Sequence, residues 1–207
     1  MSHSALLPTQ FVLYANDDYT SHIVRLLLAE KQLNFHLQII QDDFPDVLAE
    51  LNPYGTLPIL VSRDLALYEI NVIFEYLEER FAAYSLLPAD PKQRAIIRTL
   101  AWRIQKDWFY LGDDLQLHIH DTTKKDFADI FATLSPIFGK YPFFMNDQFS
   151  WCDVLLLPLL WRLPKMGVTL PKEHCQALLD YQKRLFSRPS FQQSIKHPTQ
   201  EQYYEQL

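Results

Sequence analysis

Apolar positions change rhythm once along this chain. Up to about residue 80, short apolar runs alternate with helically spaced ones; after residue 92 only the helical spacing remains. Phe11-Val12-Leu13-Tyr14-Ala15 is a continuous apolar run that stops at Asn16-Asp17-Asp18, the pattern of a buried strand and its exit loop. Ser21 stands as an N-cap before Ile23, Val24, Leu26, Leu27, Leu28 and Leu33, which repeat at helical spacing. Phe35 to Ile40 alternates and predicts a second strand. Pro45 to Leu51 predicts a short helix, followed by the turn Asn52-Pro53-Tyr54-Gly55. Leu57 to Val61 and Ala66 to Tyr68 predict a strand pair joined through Ser62-Arg63-Asp64. Glu69 opens a helix to Arg80 with Ile70, Ile73, Phe74 and Leu77 on one face. The predicted order over residues 9–85 is β-α-β-α-β-β-α.

Leu86-Leu87-Pro88-Ala89-Asp90-Pro91 has two prolines and no periodicity, and is read as a linker over 86–91. Residues 92–207 then form an all-helical domain. Lys92 to Leu117 is one long helical stretch with Ile97, Leu100, Ala101, Ile104, Trp108 and Leu111 as its core stripe. Asp126 to Gly139 and Cys175 to Ser187 are amphipathic, and Ser150 to Leu163 is apolar enough to be buried all round. A short helix and a tail follow Pro189.

Charge sharpens the division. Residues 1–85 hold 4 Lys/Arg against 12 Asp/Glu; residues 86–207 hold 15 against 13. An acidic first domain is a poor partner for phosphate backbones, so direct nucleic-acid contact is not expected. Hydrophobic residues at 48% exclude dominant disorder. With only 4 glycines and no GxGxxG or GxxxxGK[ST], the common nucleotide loops are absent. Cys152 and Cys175 form no disulfide framework, MSHSALLPTQ does not read as a secretory signal, and no apolar run reaches membrane-spanning length. The expected compartment is the reducing cytoplasm.

Four strings in order resemble the cytosolic glutathione transferase superfamily. Ser21 to Lys31 looks like its first helix, Leu51-Asn52-Pro53-Tyr54-Gly55-Thr56-Leu57-Pro58 like its turn before a cis-proline, Leu67 to Leu77 like its third helix, and Ser150-Trp151-Cys152-Asp153 like its buried capping box. The resemblance implies a thioredoxin-like N-terminal domain, a helical C-terminal domain and a dimer. Glu78-Glu79-Arg80-Phe81, Ile104 to Trp108, Pro158 to Pro164 and Tyr181 to Phe186 are similar, more narrowly, to the stringent starvation family. That branch implies a non-catalytic homodimer, or a heterodimer with a paralogue. It also implies binding to RNA polymerase holoenzyme and altered promoter use under stress, with no cofactor.

The glutathione site of the wider superfamily falls on Asp18, Leu57, Pro58, Glu69 and Ile70. Transferases of this fold stabilise a thiolate with a hydroxyl or thiol near the start of the first helix; counted back from Arg25, that position is Asp18, whose carboxylate would repel the anion. Tyr14, Tyr19, Thr20 and Ser21 remain as nearby hydroxyls. The family's acid-serine pair at the third helix becomes Glu69-Ile70, and isoleucine has no hydroxyl for the ligand's carboxylate. Glutathione turnover is therefore not expected, although a glutathione-dependent transferase or reductase is the alternative. The resemblance to the stringent starvation family also implies a surface Pro-His-Pro patch for polymerase contact; it falls here on Ala82-Ala83-Tyr84, leaving Arg80, Phe81, Tyr84 and Leu87 as the expected contact rim. Arg94, Arg98 and Trp102, with Tyr110, are the expected dimer residues.

Three further sets are read structurally. Ser150 and Asp153 fit a reciprocal capping box, and Pro58 a cis peptide that fixes a turn. Cys152 is expected to be buried and inert, and Cys175 partly exposed. His118-Ile119-His120-Asp121 reads as a solvated helix end rather than a metal site, because residues two apart do not share a helix face.

Overall fold

The computed structural model describes residues 11–41, 44–63, 65–117 and 121–196. Strand β1 (Phe11–Ala15) is central, because its continuous apolar run can be covered on both faces. It pairs in parallel with β2 (Phe35–Ile39) and antiparallel with β3 (Ile59–Ser62), which continues into β4 (Leu65–Tyr68). The sheet order is β2-β1-β3-β4, with Leu13 opposite Leu37 on one side and Leu60 on the other. The parallel pair needs a crossover, supplied by α1 (Tyr19–Glu30); a short α2 (Asp46–Ala49) precedes β3, and α3 (Ile70–Arg80) follows β4. α1 packs against α3, and Ile23, Leu27, Ile73 and Leu77 join Phe11, Leu13 and Ile59 in the core.

The helical part opens with α4 (Pro91–Ile104), capped where Asp90 accepts from the Gln93 amide at 2.9 Å. The single long helix expected from Lys92 is interrupted. Gln105–Phe109 is one wide π turn, after which α5 (Tyr110–Leu117) resumes. The extra residue in that turn shifts the apolar stripe, so Trp108 and Phe109 are both buried while Leu111, like Leu100, is only half-buried. α6 (Asp121–Phe138), α7 (Trp151–Arg162), α8 (Lys172–Phe186) and α9 (Pro189–Ile195) complete the described chain. α7 is buried on nearly every side, as its composition requires, with α4 and α8 against it.

Grouped by contact, residues 11–83 with Ser194 to Lys196 form one compact unit, and residues 84–193 another. In the first, the His22 ring meets the Ser194 hydroxyl at 2.9 Å. Among the described residues no helix is long and apolar enough to cross a membrane.

Candidate functional site

The start of α1 is closed by its own side chains. Asp18, not the expected Ser21, is the N-cap: its Oδ1 accepts from the Ser21 amide at 2.6 Å. Ser21 lies one turn in, because Tyr19 already has helical geometry. Its buried hydroxyl donates to Asn16 Oδ1 at 2.6 Å and accepts from the Asn16 amide at 3.1 Å. If the resemblance holds and a thiolate were received here, it would meet the Asp18 carboxylate, and the Ser21 hydroxyl is engaged with Asn16 as donor and as acceptor. Of the other hydroxyls named, Tyr14 is half-buried on β1, Tyr19 is buried and Thr20 is half-buried.

The second half of the family's ligand site lies in the same unit. Leu57-Pro58 is cis, with Pro58 buried and Leu57 half-buried. The preceding turn is tied by Asn52, whose amide donates to the Thr56 carbonyl at 2.8 Å and whose Oδ1 accepts from the Tyr54 amide at 3.0 Å. Glu69 is exposed and takes φ +78, a region costly for a side chain that has a Cβ. Its carbonyl accepts from the Ile73 amide at 3.0 Å as α3 begins. Ile70 is 6% exposed and packs inward. A branched hydrocarbon thus stands where the family resemblance leads one to expect a ligand-binding hydroxyl.

At the end of α3, Arg80 is exposed and spreads toward the rings of Tyr76 and Phe81, at 6.0 and 5.7 Å from their centroids. Phe81 is half-buried, edge-on to Phe11 at 6.0 Å. Its carbonyl accepts from Lys31 Nζ at 3.2 Å, and that ammonium also pairs with Glu78 at 2.8 Å in a buried ion pair. In the second unit, Tyr84 ends a single turn of 3₁₀ helix from Ala82 and is 46% exposed. Leu87 departs from expectation. It is 5% exposed, and its backbone is held by Ser85, whose hydroxyl donates to the Leu87 carbonyl at 2.8 Å and accepts from its amide at 3.2 Å. It is a packing residue, not part of an exposed rim.

On α4 and beyond, Arg94 and Arg98 are half-buried, Arg94 reaching the Pro88 carbonyl at 3.5 Å, while Trp102 is 62% and Tyr110 70% exposed. At α7, the reciprocal capping box of Ser150 and Asp153 is present, with the Ser150 amide donating to Asp153 Oδ2 at 2.9 Å. Two partners of Asp153 have no local signal in the sequence: the Phe144 amide at 2.8 Å and the Tyr181 hydroxyl at 2.7 Å, both donating to Oδ1. Cys152 is buried and its thiol is pushed up to about 12, by burial first and the Asp153 charge second. Cys175, expected to be partly exposed, is fully buried at a kink inside α8, where the chain turns its side chain into the core. No cluster of three or more metal-ligating side chains occurs among the described residues; His118 and His120 lie outside them.

Comparison with known proteins agrees with this layout. The glutathione S-transferase N-terminal domain family matches residues 20–80, and the corresponding C-terminal domain family matches residues 113–189. A stringent starvation protein A homolog from Coxiella burnetii is 38% identical over 89% of this chain and 90% of its own. One from Haemophilus influenzae is 36% identical over 94% of each. A probable glutathione S-transferase of Nicotiana tabacum is more distant, at 27% over 83% of this chain and 82% of its own. Among solved structures, a glutathione S-transferase from Rhodospirillum rubrum superposes with a TM-score of 0.79 at 22% identity, covering 90% of this chain and 92% of its own. A Tau-class enzyme from mango superposes at 0.75 and 20% identity, covering 95% and 97%.

Proposed function

Because the chain belongs to the stringent starvation protein A family, built on the glutathione transferase fold, we propose that it is a non-catalytic regulator that binds RNA polymerase holoenzyme and alters promoter use under starvation or stress. The observation that carries the non-catalytic part is the start of α1. Asp18 caps the helix with its own carboxylate, and the Ser21 hydroxyl donates its proton to Asn16 Oδ1 and accepts from the Asn16 amide. Ile70 supports the same reading at α3.

Arg80 and Phe81 at the end of α3, and Tyr84 just beyond, are the proposed polymerase contacts. Arginine and aromatic side chains dominate interface energies, and Arg80 and Tyr84 are exposed. The functional unit in this reading is a homodimer, with Arg94, Arg98 and Trp102 facing the partner subunit. Pull-down with purified polymerase core and holoenzyme tests the reading: the chain should be retained by holoenzyme. Arg80→Glu and Tyr84→Ala, each folded and dimeric, should bind at least about tenfold more weakly. Unchanged binding by both variants would move the contact elsewhere. Steady turnover of glutathione with a general electrophile, lost in Tyr14→Phe or Ser21→Ala, would instead establish the transferase alternative.

A further inference from the structure

The second unit contains an open cavity that none of the groups above uses. It measures about 640 Å³ and lies against the end of α7, the loop over 163–171 and α8. That volume is within the ~300–1,000 Å³ range of small-molecule sites. One wall is aromatic and fixed. Trp161 meets Phe186 edge-on at 5.1 Å and Phe191 at 5.5 Å, and those two phenyl rings stack at 4.8 Å. Leu170 and Leu179 extend the apolar lining.

The loop wall is fixed too. After α7 the chain closes on itself through Met166 N to Arg162 O at 2.9 Å, Gly167 N to Pro164 O at 3.0 Å, and Val168 N to Leu163 O at 2.9 Å. Gly167 takes φ +76 there, a conformation any side chain with a Cβ would strain. The cavity is therefore formed before any ligand arrives, and Trp161 remains 43% exposed in it. Preformed apolar walls of this kind favour an occupant that replaces water.

The charged groups of the lining carry one sign. Lys165 and Lys172, both exposed, contribute cationic side chains, Gln182 contributes an amide, and no carboxylate is among the described lining residues. This contrasts with a chain whose net charge is −6. We propose that the cavity binds a free amphiphilic monocarboxylate, its hydrocarbon body against Trp161 and Phe186 and its anionic head paired with Lys165 and Lys172. Two cations beside an apolar wall discriminate by charge as well as by hydrophobicity, since a neutral analogue forfeits the charge-assisted bonds.

The site is independent of the polymerase reading, and either stands without the other. Titrating the full-length chain with decanoate should quench tryptophan emission saturably. The quench should disappear in Trp161→Phe, which identifies the reporter among the 4 tryptophans while calorimetry follows binding itself. Decanol, matched in chain length, should bind at least about tenfold more weakly. Lys165→Glu/Lys172→Glu changes only exposed positions; it should lose about tenfold in decanoate affinity and keep its affinity for decanol. Equal affinity for decanoate and decanol, an unaffected double variant, or no saturable binding below the micellar range would overturn the proposal.

Discussion

Asp153 is a carboxyl buried in the helical core, accepting from the Phe144 and Ser150 amides and the Tyr181 hydroxyl. Burial outweighs those bonds and pushes it up from 3.8 to about 6. The folded chain therefore holds this proton through a pH range in which the unfolded chain has released it. The stability it confers is full at acid pH and falls as pH rises toward and through about 6. The stability advantage over Asp153→Asn, measured by urea unfolding, should be larger at pH 5 than at pH 7 by about 1 kcal/mol. An advantage that grows toward neutral pH would mean that the folded chain holds this carboxyl below its ordinary 3.8 rather than above it. The serine-to-aspartate spacing was legible in the sequence because a capping box is local. Tyr181 was not, since it lies 28 residues away and only tertiary packing delivers its hydroxyl. The α1 cap shows the same limit at short range. Both Asp18 and Ser21 can cap, and the sequence alone favours Ser21. The choice falls on Asp18 because Ser21 is drawn inward to Asn16.

At the scale of elements, α1 and α3 are joined at one end by the buried pair of Lys31 and Glu78, 2.8 Å apart. Lys31 follows α1 and also holds the Phe81 carbonyl, so one ammonium closes the C-terminus of α3. Lys31→Met would leave Glu78 charged in the core and should cost about 3–5 kcal/mol. Lys31→Met/Glu78→Met should recover most of that loss, because an apolar pair of similar size carries no desolvation penalty. Chemical denaturation of the two variants separates a costly unpaired charge from a general packing defect, in which the double variant would be the worse of the two. Their pairing had no local signal in the sequence, because 47 positions separate them. The π turn at Gln105–Phe109 was likewise invisible, since the apolar spacing before and after it fits an unbroken helix.

For the whole molecule, the division of charge between an acidic first part and a nearly neutral second part suits a two-fold dimer. In it the acidic domain of one subunit meets the helical domain of the other. Light scattering at micromolar concentration should report twice the 24.5 kDa chain mass, and Trp102→Glu should shift the population toward the monomer. A chain that stays monomeric at every salt concentration would refute that arrangement. What the sequence determined by itself was everything carried by periodicity and turn chemistry. This covers the β-α-β-α-β-β-α order, the all-helical remainder and the capping box. Those follow from neighbours within a few residues, where backbone geometry fixes which side chains can meet. Tertiary structure alone decided that Leu87 and Cys175 are buried and that Lys31 finds Glu78. It also decided that Trp161 and Phe186, backed by the buried Phe191, make one wall of a cavity beside two lysines. These are meetings of residues distant in the chain, and no local spacing encodes which of many similar apolar or charged side chains the packing will bring together.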